Sequence, residues 1–145
     1  MKKITRLITI LVLLFFAGCK GYSFDTVPYL INGTFVMEDN SPDYSICGVD
    51  FYLMNKSQKE IEKISLVFYL FDKDGEPAYE CRNKISAEVE KVLGAGEDCN
   101  FCISLDKYLN SIPEDSLQVD YLYLSRIEYE DGSVWEDPFG MVAFK

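Results

Sequence analysis

The chain is 145 residues long, a length that fits one domain. Its 48% hydrophobic and 14% aromatic content is too much packable surface for a disordered chain. Fourteen Lys and Arg against 24 Asp and Glu leave a net charge of −10, which disfavours nucleic acid as a partner, and the absence of His removes the commonest general base and metal ligand.

Lys2, Lys3 and Arg6 form a positive start, and residues 7–18 then run apolar or small apart from Thr9. A bilayer-spanning helix needs roughly 20 apolar residues, so this shorter run ending in small residues predicts a cleaved export signal. The following Phe16-Ala17-Gly18-Cys19 resembles the lipobox of bacterial lipoproteins, with Phe16 where Leu is usual. The resemblance implies a signal peptide over 1–18 and a diacylglyceryl thioether on Cys19, with an acyl chain on its amine. Two or more chains anchor stably where one does not. Removing 1–18 takes those three cations and no acids, so −10 becomes −13. Anionic headgroups repel such a domain, so the lipid does the anchoring and 19–28 serves as the tether. The protein is then expected on a bacterial membrane, facing the periplasm or the cell exterior.

Over 29–145, turn signals recur every ten to fifteen residues between aromatic and β-branched runs, which predicts a β-sandwich or barrel. Residues 30–37 form a first strand. Residues 46–55 alternate Val49, Phe51 and Leu53 with Asp50 and Tyr52, a half-buried strand. Residues 64–71 are apolar on both faces and read as a central strand, closed by Asp74-Gly75 into a further strand over 77–83. Residues 84–93 fit either a strand or a helical stripe, and the extended form is preferred. The turn at 94–98 leads to a strand over 99–105. Residues 106–116 form a loop with at most one helical turn, and a long strand over 117–129 turns at 130–133 into a return strand starting at Val134-Trp135. This amounts to seven or eight strands, with no repeat and no second domain.

Phe68-Tyr69-Leu70-Phe71-Asp72 resembles the signature of the bacterial FxLYD family, with Phe71 where that family has Tyr. Val49-x-Phe51-x-Leu53-x-Asn55-x-Ser57 before it, and Gly94-x-Gly96-Glu97 with Phe101 after it, are similar to the strand, Asn-x-Ser turn and later turn of such domains. The resemblance spans about residues 46–105. It implies an all-β, immunoglobulin-like sandwich of about seven strands at the bacterial envelope and carries no catalytic site or cofactor with it.

Apart from Cys19, the cysteines are Cys47, Cys81, Cys99 and Cys102, an even set that in an exported chain points to disulfides. If 99–102 is extended, the two Cα atoms stand about 10 Å apart, beyond the roughly 7 Å a disulfide spans. Two connectivities remain: Cys47–Cys99 with Cys81–Cys102, or Cys47–Cys102 with Cys81–Cys99. Parity points Cys99 inward and Cys102 outward. A redox C-x-x-C pair would sit at a helix N-terminus and a zinc site would need all four thiols, so both are the weaker readings.

Asp72, Asp74 and Glu76 have alternating loop spacing that would suit a cation, but a solvated Asp-Gly turn accounts for them better. Without His, Ser or Cys lacks its usual base, and an enzyme is not expected. In 117–129, Val119, Tyr121, Tyr123, Ile127 and Tyr129 share one parity, and Leu122 and Leu124 the other. One set should enter the core while the other forms a protein-binding face with Trp135, although cross-strand packing is the plainer account. The expected function is a lipid-anchored, non-catalytic binding or adapter module with an envelope protein as partner. A lipoprotein without a defined ligand is the alternative, and a thiol-redox protein a weaker one.

Overall fold

The computed structural model describes residues 27–37, 40–78, 83–109 and 111–144. The signal segment, Cys19 and most of the tether, and also Cys81, lie outside these residues. Seven strands follow in chain order: β1 (Tyr29–Val36), β2 (Gly48–Asn55), β3 (Ile61–Phe71), β4 (Lys84–Leu93), β5 (Asp98–Ser104), β6 (Gln118–Tyr129) and β7 (Val134–Glu136). Every pairing is antiparallel, in a three-stranded sheet β1-β2-β5 and a four-stranded sheet β4-β3-β6-β7. The described residues thus form an all-β sandwich of two antiparallel sheets.

Alternation explains the layers. Val49, Phe51 and Leu53 of β2 and Ile64, Leu66, Phe68 and Leu70 of β3 are buried and meet between the sheets. Phe51 sits edge-on to Phe68 of the opposite sheet at 5.3 Å and stacks on Phe101 of its own at 5.3 Å. Such pairs add to burial because ring edges and faces carry opposite partial charge.

The ambiguous segment 84–93 is a strand, with Ile85, Ala87 and Val89 directed at β3 and the core. The Asp74-Gly75 turn forms, with Gly75 at φ 81 and Asp72 N donating to Glu76 O at 2.9 Å. The strand expected over 77–83 does not follow it among the described residues. Only an isolated bridge joins Phe71 to Pro77, since proline brings no N–H to a ladder. Leu70 N donates instead to Asn83 O, where the chain returns into β4.

One polar side chain ties the loops at the β2 end together. Asn55, fully buried, donates from Nδ2 to Lys59 O, Leu93 O and Gly94 O at 2.7, 3.0 and 3.0 Å, and its Oδ1 accepts from Ser57 N and Oγ. The Asn-x-Ser spacing thus provides a satisfied amide that joins the β2–β3 and β4–β5 turns, as a buried amide must be satisfied.

An aromatic cleft on the outer sheet face

The candidate site lies on the outer face of the four-stranded sheet and depends on two bulges in β6. Ser65 pairs with Arg126 while Leu66 pairs with Leu124, and Val67 pairs with Tyr123 while Tyr69 pairs with Asp120. At each shift β6 holds one residue more than β3, and each extra residue reverses the parity beyond it. Val119, Leu122, Leu124, Ile127 and Tyr129 therefore face the core, whereas Tyr121 and Tyr123 lie outside. The expectation that residues 119–129 share one unbroken parity is corrected.

Three residues expected on a binding face move inward. Leu124 is fully buried, Leu122 packs against the core, and Trp135, paired with Ile127, meets Tyr29 edge-on at 5.7 Å under the sheet. Tyr29 Oη accepts from Leu124 N at 3.0 Å. Burial pushes the Tyr29 phenol up to about 12.

Tyr121 sits at the second bulge with φ 47, a left-handed conformation rare for a bulky side chain. Its N–H donates to the adjacent Asp120 Oδ1 at 2.7 Å, which caps the irregular backbone. Its ring meets Tyr69 at 5.7 Å, Phe71 at 6.2 Å and Phe144 at 5.9 Å, with interplanar angles of 72°, 61° and 74°. Phe144 also meets Tyr123 at 5.7 Å and 81°. Together with Asn83 and Phe139 these rings line a cavity of about 330 Å³. Tyr121 is 53% exposed, Phe144 53% and Phe139 80%.

The C-terminal segment supplies the last wall. Asp137, buried, accepts from Met141 N at 2.8 Å and from Val142 N and Ala143 N at 2.9 and 3.3 Å, which winds residues 137–144 into consecutive turns. Gly140 has φ 68, and a Cβ there would come within 2.9 Å of Phe144 and 3.1 Å of Tyr123. Only glycine lets the turn lie that close to the rings. Tyr123 Oη donates to Pro138 O at 3.3 Å, and burial raises its phenol pKa.

Tyr69, Phe71, Phe139, Phe144 and Asn83 were not expected at this site. The signal for two of them is in β3: an outer sheet face is usually polar, and Val67, Tyr69 and Phe71 make its outer face apolar as well. Toward the other end the same face is charged. Lys63 pairs with Glu88 at 2.6 Å, and Arg126 with Glu128 at 2.9 Å and with Glu136.

Among the described residues the thiols do not pair with one another. Cys47, Cys99 and Cys102 are free. Leu105 N donates to Cys47 O, while Cys99 faces Leu53 six residues further along β5, about 20 Å away. That distance overturns a Cys47–Cys99 bridge. Cys102 opposes exposed Asp50 on the outer face while Cys47 is fully buried, so a Cys47–Cys102 bridge is overturned too. The expected two-bridge scheme is corrected on these grounds. Burial, then hydrogen bonding to Asp50, pushes the Cys102 thiol up to about 12; burial pushes Cys47 to about 11 and raises Cys99. Thiols held protonated in this way are poor nucleophiles.

At 72–76, the Asp72 carboxylate accepts from Asp74 N and Glu76 N, both at 2.9 Å, and so closes its own turn. Among the described residues no cluster of three or more Cys, Asp or Glu is placed to hold a metal ion.

No protein-family model and no curated protein matches the chain. A solved structure of a hypothetical protein from Peptoclostridium difficile 630 is similar in fold, with a TM-score of 0.58 at 14% identity, covering 78% of this chain and 88% of that one. That likeness concerns the sandwich alone.

Proposed function

We propose that this protein is a lipid-anchored, extracytoplasmic bacterial lipoprotein whose FxLYD-like sandwich acts as a non-catalytic binding module at the cell envelope. The observation that carries the binding role is the cleft around Tyr121. A ring buried between sheets contributes more to stability than one held half-exposed on a left-handed backbone. Strain of this kind fits a surface kept for recognition. The lipobox-like Phe16-Ala17-Gly18-Cys19 supports the anchoring, and the raised thiol pKa values weigh against thiol-redox chemistry.

Two measurements test the reading. Metabolic palmitate labelling should mark the wild type and not Cys19→Ala, and Cys19→Ala should leave the membrane fraction; retention there would refute the anchor. Chemical crosslinking in intact cells should give one discrete adduct that Phe144→Asp loses while folding normally. An adduct indifferent to Phe144→Asp would refute the cleft as the binding face.

A further inference from the structure

The cleft carries a more specific reading, which rests on the binding-module proposal. We propose that it takes an arginine side chain from a partner protein, its guanidinium seated among the rings and paired with Asp120 at the rim. The rings of Tyr69, Phe71 and Phe144 stand at 61° to 74° to Tyr121, with centroids 5.7 to 6.2 Å away. Rings set steeply to one another turn π-faces in several directions, and a cation within about 6 Å of a ring face is attracted to it.

Charge points the same way. Asp120 is exposed and immediately precedes Tyr121, with Oδ1 already fixed by the Tyr121 N–H. In the row Lys84–Tyr69–Asp120, Lys84 lies on the β4 side of Tyr69 and Asp120 on the β6 side, next to Tyr121. The net charge of −10 draws cations toward the protein from a distance. Arginine fits better than lysine because its planar fork can stack on a ring and pair with a carboxylate at once. A volume of about 330 Å³ lies at the small end for ligand sites, which suits one long side chain and its neighbours rather than a cofactor.

The anchoring membrane is a poor occupant. β1 begins at Tyr29, opposite Asn55, at the end of the sandwich where Ile61 meets Leu93. Tyr69 lies eight residues along β3 from Ile61, about 26 Å from that end. The cleft thus lies far along the sheet from where the tether joins the domain, and the acidic chain is repelled by anionic lipid.

The test titrates the full chain in neutral detergent micelles with acetyl-Ala-Arg-Ala-amide and with its citrulline counterpart, which keeps the shape and loses the charge. Ring-proton NMR shifts of Tyr121 and Phe144 should saturate with the arginine peptide and require at least about fivefold more of the citrulline peptide. Asp120→Asn should weaken arginine binding and flatten its salt dependence. Phe144→Ala, at an exposed site, should weaken it with amide dispersion unchanged, which shows that the variant still folds. Equal affinity for the two peptides, or no shift at these rings, would overturn the proposal. A discrete cell adduct lost in Phe144→Asp, together with equal peptide affinities, would sink the arginine assignment and leave the binding module standing.

Discussion

Replacing Tyr121 by Ala and by Gly separates the strain at the bulge from the work of the ring. Either change removes a half-exposed ring, whose lost burial costs on the order of 2 kcal/mol. Ala keeps the penalty of a side chain at φ 47. Gly relieves it, and the left-handed cost for a residue with a Cβ, less the extra freedom Gly gains when unfolded, leaves Gly ahead by about 1 kcal/mol. Tyr121→Ala should therefore be about 2 kcal/mol less stable than wild type and Tyr121→Gly only about 1 kcal/mol less. Urea unfolding followed by circular dichroism should show the Gly midpoint above the Ala midpoint by about 0.5 M. Both variants should lose the crosslinked partner equally. A loss beyond about 4 kcal/mol in both would mark the ring as core packing. A Gly variant no more stable than Ala would refute the strain argument.

Asn55→Ala removes the bonds donated to the Lys59, Leu93 and Gly94 carbonyls, the one to Leu93 buried; it should cost about 3 kcal/mol and lower Tm by roughly 10 °C, and a drop under 3 °C would contradict the keystone role. Leu124→Asp places a carboxylate in a fully buried site and should abolish cooperative unfolding, whereas Tyr121→Asp, on the outer face, should still give a folded domain by circular dichroism. For pH, Cys47 and Cys102 are pushed up to about 11 and 12 from an unfolded value near 9. The unfolded chain releases these protons first, so stability is full below about pH 9 and falls as pH rises toward 11. Denaturation midpoints that stay flat from pH 8 to 11 would refute this.

The strands were legible because apolar residues alternate cleanly in β2, and Ile85, Ala87 and Val89 do so in β4 although a helical stripe also fits there. The candidate site was only partly legible. Period-two reasoning holds between bulges and fails across them, and β6 has two. Reading residues 119–129 as one unbroken alternation reverses Leu122 and Leu124, although Tyr121 and Tyr123 do lie on the outer face of the sheet, Tyr121 exposed and Tyr123 buried there against Phe144. Nothing in the local pattern announces that Tyr121 takes a left-handed conformation, because the register against β3 imposes it. The wall built by residues 137–144 is hidden for another reason. Asp137 reads as one more surface acid until its carboxylate is seen gathering three backbone N–H groups. β3 gave the better clue, since Val67, Tyr69 and Phe71 have no reason to be apolar on an outer face except to floor something.

Site-specific photo-crosslinking in intact cells tests the central claim most directly. A photoreactive residue at position 144, in the cleft, is compared with one at position 52, which pairs with Asn100 on the outer face of the opposite sheet. The account predicts a single discrete adduct from position 144 that Tyr121→Ala removes, and none from position 52. Equal adducts from both positions, or one from 144 that survives Tyr121→Ala, would contradict it.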